Sequence, residues 1–191
     1  MRLMRENSLL LIVDLQAGLL PVIEGGDQAV SEAAWLGGIA EVLEIPIWLT
    51  EQYPQGLGGS APALLEALPN HTLWQKLHFN AHAETDFATA LAESGRRQIV
   101  LCGSEAHICV MQTGLGLLAA GYEVYWLSEA CVSRRAEEAT LARERMSRSG
   151  AIPVSADMVA YEWLERCDTE RFSQVHRSFL KPRSPRPLRF F

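Results

Sequence analysis

Hydrophobic positions fall into short unbroken runs, separated by stretches in which apolar residues return every three or four places. Four runs are rich in branched or aromatic residues: LLLIVDL at 9–15, IPIWLTE at 45–51, QIVLCG at 98–103 and EVYWLS at 123–128. Runs of this length without apolar/polar alternation predict strands buried on both faces. Two weaker runs, TLWQK at 72–76 and AIPVS at 151–155, bring the strands to six. Helical patterns lie between them. In TDFATALAESG, Thr85 is placed to cap the N-terminus, Phe87, Ala90 and Leu91 share a face, and Gly95 ends the turn. The segment after Cys109 puts Val110, Thr113, Leu117 and Leu118 on one side and stops at Gly121. Residues 135–149 are charged with Leu141 and Met146 inward, and 156–165 form a last amphipathic helix. Strand and helix alternating over the chain predict an α/β fold in three layers, a mostly parallel six-stranded sheet with helices on both faces.

The alternation ends at HRSFLKPRSPRPLRFF, which holds five Lys or Arg, three prolines and no acid. The sequence thus divides into a domain over 1–170 and a basic, Pro-rich tail over 171–191. The prolines predict that the tail does not continue as helix. Two readings stay open for it: a disordered basic appendage, or an arm docked on a neighbouring subunit through Leu188, Phe190 and Phe191.

Composition narrows the function. A chain of 191 residues, 48% of them hydrophobic, buries roughly 70% of its unfolded surface, enough for one sizeable core. The net charge of −6 argues against general affinity for nucleic acid or anionic membrane. No run reaches the roughly 18 apolar residues of a membrane span. The cysteines, Cys102, Cys109, Cys131 and Cys167, show no CxxC spacing, so a reducing, cytoplasmic setting is expected. No GxGxxG or P-loop pattern supports a nucleotide cofactor, and none is expected.

Ligands of open parallel sheets bind at the carboxyl ends of the strands, and three reactive residue types fall there. Asp14 closes the first strand, Lys76 closes the weak strand before LHFNAH, and Cys109 follows the strand ending at Gly103. A carboxylate at the end of an apolar strand needs a partner. Lys76 is placed to supply it, and Cys109 to be what the pair activates. A helix N-terminus and a nearby ammonium would hold the thiol's pKa below about 8.5. Asp14 would accept its proton and pass it to a leaving amine, so Asp14→Asn is expected to alkylate slowly at neutral pH. Each residue also has a plainer reading: Cys109 as inert core, Asp14 as a helix cap, Lys76 as a solvated strand end. Gln16, Gln52, Phe79 and His107 are candidates for lining a substrate pocket. His78 and His82 stand four apart, but Asn80 and Ala81 suit a loop and no carboxylate sits at a familiar offset, so no metal is expected.

LLIVDLQ, TEQYPQGLG, WQKLHFNAH and VLCGSEAHICVMQTGLGLLAAGYEVYWLSEACVSR, in this order over about residues 8–165, resemble the isochorismatase-like superfamily of cysteine hydrolases. The resemblance implies a Rossmann-like sheet and a triad carried here by Asp14, Lys76 and Cys109. It implies a non-proline cis peptide between Ser104 and Glu105, aiming the N–H groups of Glu105 and Cys109 at an oxyanion. It also implies hydrolysis of small amide or ureido compounds through a thioester, and assembly as a homo-oligomer. The metal-binding Asp-x-His of some nicotinamidases is missing from EQYPQGLG, and the pattern is nearest to YcaC-type hydrolases. Isochorismatase-type cleavage of a vinyl ether, which does not need the thiol, is the alternative enzyme; a thiol sensor or scaffold is the alternative without turnover.

Overall fold

The apolar runs form the sheet. In the computed structural model, which describes residues 2–190, six parallel strands stand in the order β3-β2-β1-β4-β5-β6. They are β1 (Ser8–Val13), β2 (Ile47–Gln52), β3 (Thr72–Lys76), β4 (Gln98–Gly103), β5 (Glu123–Cys131) and β6 (Ile152–Val154). Leu9 to Val13 are all buried, each worth about 1.5–3 kcal/mol of transfer free energy. The chain runs outward from β1 to β3, then returns to the centre to place β4 beside β1. That reversal makes the carboxyl ends of β1 and β4 a switch point, the place where open sheets of this kind bind ligands.

The helices are α1 (Gly26–Val42), the short α2 (Pro54–Leu57) and α3 (Pro62–Ala67), α4 (Thr85–Glu93), α5 (Met111–Ala119), α6 (Ala136–Arg148), α7 (Ala156–Leu164), α8 (Glu170–Val175) and α9 (Lys181–Arg183). α1 lies outside the helical segments read from the pattern because it is covered on two sides. Ala33, Leu36 and Ala40 are buried in the core, while Gly38 lies under the ring of Phe179. Thr85 is the first residue of α4 and makes no capping bond; Gly95 does end that segment, at φ +68°. Among the described residues no helix is long and apolar enough to cross a membrane.

The C-terminal segment corrects the reading of the tail as a disordered appendage that its prolines keep from being helical. It is helical through α8, a π turn at His176–Leu180 and α9, which passes through Pro182, and it docks on its own chain. The reason is electrostatic. Arg183 is buried; its guanidinium donates to Glu32 on α1 at 2.6 and 3.0 Å, reaches Glu129 on β5 at 3.3 Å and lies 4.1 Å above the Trp35 ring. Trp35 donates to the Phe179 carbonyl, and Gln28 exchanges two hydrogen bonds with the Arg189 backbone. Leu188 is half-buried and Phe190 exposed; Phe191 lies outside the described residues. Burial raises the Glu129 carboxyl above its usual range, so the cluster depends on Arg183. Arg183→Met is expected to cost about 3–5 kcal/mol by leaving the buried Glu129 without a countercharge and Glu32 with only Arg186, 3.6 Å away, a fall of about 10 °C in the melting temperature. A variant melting with the wild type in calorimetry would show that the tail does not dock this way.

Candidate functional site

Asp14, Lys76 and Cys109 come together at the switch point. Asp14 is the first residue past β1 and takes φ +50°, a left-handed conformation that costs a residue with a Cβ about 1–2 kcal/mol. Neighbouring strands hold it there. Its N–H donates to the Thr50 carbonyl at 3.1 Å, and its own carbonyl accepts from Ser104 Oγ at 2.6 Å. The turn points its carboxylate at the ends of β2 and β3, where Oδ1 accepts from Thr50 Oγ1 at 2.6 Å and Oδ2 takes the Lys76 ammonium at 2.7 Å. Both side chains of the ion pair are almost wholly buried, so Asp14 is not a helix cap and Lys76 is not a solvated strand end.

Lys76 also donates to Gln52 Oε1 at 2.6 Å and points at the carbonyls of His78 and Phe79, each 3.4 Å away. Thr113 on α5 ties down that loop, accepting from the Ala81 N–H at 3.0 Å. Gln16 is fully buried and both ends of its amide bond the Gln52 backbone, at 2.7 and 3.0 Å, with Gly58 O a further acceptor at 2.6 Å. The residue therefore clasps the loop after β2 rather than lining a pocket, a correction to the sequence reading. Phe79 is 52% exposed.

The other wall is the turn after β4. Gly103 has φ +137°, and a Cβ there would run into the Val13 carbonyl, so only glycine lets β4 end this close to β1. The Ser104–Glu105 peptide that follows is cis. Ala106 N–H donates to Val132 O, while the N–H groups of Ile108 and Val110 both turn back to Glu105 O; the Glu105 amide is not among these donors. Glu105 is buried and clamped by Arg134, whose Nε and backbone N–H meet its two oxygens at 2.6 and 2.9 Å. His107 Nδ1 lies 2.9 Å from Ser133 Oγ, which fixes its ring beside this turn.

Cys109 sits in the π turn Ala106–Val110, 6% exposed, with Sγ 4.0 Å from Gln52 Oε1. Burial first and the Asp14 charge second push its thiol up to about 12, against the opposing pull of Lys76. This corrects the expectation of a thiol held low by the ammonium: burial and the carboxylate outweigh it. Cys109 therefore rests as the thiol beside the Asp14–Lys76 pair. The sign expected for Asp14→Asn reverses with it. Removing the carboxylate charge leaves Lys76 facing the thiol, so iodoacetamide labelling of Cys109 is expected to move to lower pH; an unchanged or raised profile would contradict the coupling.

His78 and His82 do not converge. His78 pairs with Glu84 at 2.9 Å, and the His82 ring stands edge-on to Tyr122. No group of three or more metal-ligating His, Cys, Asp or Glu side chains is found among the described residues. Thr50, Arg134 and Ser133 do not stand out in the sequence. Thr50 was within reach, since it stands two residues before Gln52 and alternation puts both on one face of β2.

The model of the isochorismatase domain matches residues 8–158. Isochorismatase domain-containing protein 2 of Danio rerio is 32% identical over 182 residues, covering 95% of this chain and 91% of the relative; the Homo sapiens protein of that name is 32% identical, covering 95% and 87%. Among solved structures, one described as MAR1 ribonuclease from Caenorhabditis elegans superposes with TM-score 0.88 at 30% identity, covering 94% of this chain and 93% of that one. YcaC from Pseudomonas aeruginosa, solved with hexane-2,5-diol and covalent acrylamide, gives 0.86 at 26% identity, covering 96% and 94%.

Proposed function

This chain belongs to the isochorismatase domain family, and on that premise we propose that it is a cysteine-dependent hydrolase of a small amide or carbamoyl compound, acting through a thioester on Cys109. One observation carries the reading: a nearly buried thiol shares its acceptor, Gln52 Oε1, with the ammonium of an equally buried Asp14–Lys76 pair. Ion pairs are seldom placed in a core unless something needs their charges there.

The state of the thiol sets the order of events. With the thiol near 12, little thiolate exists in advance, so Asp14 takes the S–H proton as Sγ attacks the carbonyl carbon. General-base help of this kind supplies about 10²–10⁴-fold. The oxyanion is received by the N–H groups of Glu105 and Cys109 on the turn that Arg134 clamps. Asp14 then returns the proton to the departing nitrogen, the C–N bond breaks, and Cys109 is left as a thioester. Water attacks the thioester carbon and gives a proton to Asp14; the C–S bond then breaks, Asp14 returns that proton to Sγ, and the acid is released with the thiol restored. Lys76, 2.7 Å from Asp14 Oδ2, offsets the cost of placing a carboxylate in so buried a position.

The same burial speaks against a thiol sensor, which needs an exposed, low-pKa sulfur. Covalent acrylamide in the P. aeruginosa neighbour supports a reactive group in this fold, in a protein 26% identical to this chain. The proposal includes no cofactor, no nucleic-acid substrate, a cytoplasmic setting and a homo-oligomer; mass in solution tests the last. For the activity, ammonia release is followed over a panel of primary amides and carbamoyl compounds, with single-stranded RNA as a control. Release from at least one member is expected. Cleavage of RNA with every amide untouched would overturn the reading.

A further inference from the structure

We infer that Gln52 is a positioning residue of this site: its side-chain amide, anchored at both ends, holds the Lys76 ammonium against Asp14 and beside the Cys109 thiol instead of binding substrate. The inference rests on the reading of Cys109 as the nucleophile.

A lysine ammonium has three protons to place and accepts none. Asp14 Oδ2 takes one at 2.7 Å and Gln52 Oε1 another at 2.6 Å, while the carbonyls of His78 and Phe79 divide the third at 3.4 Å. The glutamine thus matches the carboxylate as the closest partner. Its orientation is fixed from both sides. Oε1 faces a group that only donates, and Nε2 donates to the Leu77 carbonyl, which only accepts, at 2.8 Å. Turning the amide over would set donor against donor and acceptor against acceptor. The backbone beneath is held as firmly, since Gln16 bonds both the N–H and the carbonyl of Gln52. A side chain committed at its oxygen, its nitrogen and its main chain behaves as scaffold, and it is nearly buried.

Charge explains why an amide stands here and not a carboxylate. The same oxygen lies 4.0 Å from Cys109 Sγ. Asp14 already opposes ionisation of the thiol and Lys76 favours it. A second carboxylate at this point would cancel the help of Lys76, whereas a neutral oxygen gives the ammonium a short hydrogen bond and leaves its charge free to act on sulfur.

The test is iodoacetamide labelling of Cys109 across pH in the full chain, read by peptide mass spectrometry, with thermal melting alongside. Gln52→Glu is expected to move the profile to higher pH by about one pH unit, which cuts the thiolate fraction, and with it the labelling rate at a fixed, mildly alkaline pH, about tenfold. Gln52→Met, similar in length but without the acceptor, is expected to move it to lower pH, because the thiolate then replaces Oε1 as partner of Lys76. Opposite shifts separate this from general loosening, which exposes the thiol and speeds labelling in both variants. Should the Glu variant fail to fold, the Met variant decides with its melting: labelling at lower pH with the wild-type melting temperature supports the inference, and labelling at the wild-type pH, or faster labelling with a lowered melting temperature, overturns it. Wild-type profiles in both, or shifts in one direction, overturn the inference while leaving Cys109 as nucleophile; a Cys109 that resists labelling at every pH in all three proteins overturns both.

Discussion

Cys109→Ala is expected to lose turnover of every amide that the wild type hydrolyses, by about 10³-fold or more, with the fold intact. The size follows from the unit the thiol belongs to. When a nucleophile, its base and its orienting group act together, removing the nucleophile costs nearly as much as removing all of them. The structural penalty is small. Sγ is a single atom beside Gln52, and trimming it leaves a modest gap worth about 1 kcal/mol, or a shift of about 2–4 °C in melting temperature. Ammonia release with far-ultraviolet circular dichroism on the same sample separates lost chemistry from lost structure. An alanine variant that is folded and active would remove the thioester and favour the vinyl-ether type of hydrolysis, which needs no thiol.

Lys76→Met is expected to have the largest effect on stability at this site, about 3–5 kcal/mol. Asp14 is wholly buried, and among the described residues Lys76 is the cation that pairs with it; Thr50 Oγ1 is neutral and covers the other oxygen. Without the ammonium the carboxylate stays charged without compensation or takes up a proton, and either course weakens the folded state or the base. A fall of about 10 °C in melting temperature is expected. The double variant Asp14→Asn with Lys76→Met should recover a good part of that loss, because the cost comes from the stranded charge and not from the missing bridge. If the double variant is less stable than Lys76→Met alone, the pair is contributing attraction rather than relieving an unpaired charge, and the electrostatic account of the site fails.

The strands are the most legible part of the chain because unbroken apolar runs of five or six residues have few other uses. Their ends are less so. β5 runs on to Cys131, past the 128 expected, since Ser128 and Glu129 read as polar punctuation; the buried Glu129 is met by the Ala156 N–H and by Arg183, 54 positions later in the chain. Nothing local announces that pairing, and the tail that carries Arg183 escapes the pattern for the same reason. α1 escapes it because a helix covered by the sheet on one side and by Phe179 on another has no polar stripe of the usual width. Asp14, Lys76 and Cys109 can be placed at strand ends from pattern, and their meeting follows from the strand order. The state of the thiol cannot be read in this way. It depends on how much water is excluded around Sγ and on which charge lies nearer, quantities that exist only once β1, β2, β4 and the π turn are packed together.

The most direct test of the central claim is interception of the acyl group. With an amide that the protein turns over, hydroxylamine added during the reaction should divert product from the free acid to the hydroxamate in the wild type, in a ratio that rises with hydroxylamine concentration. Cys109→Ala should form neither. Acid release at the wild-type rate with no hydroxamate at any hydroxylamine concentration would mean that water attacks the amide directly, and Cys109 would not be the nucleophile.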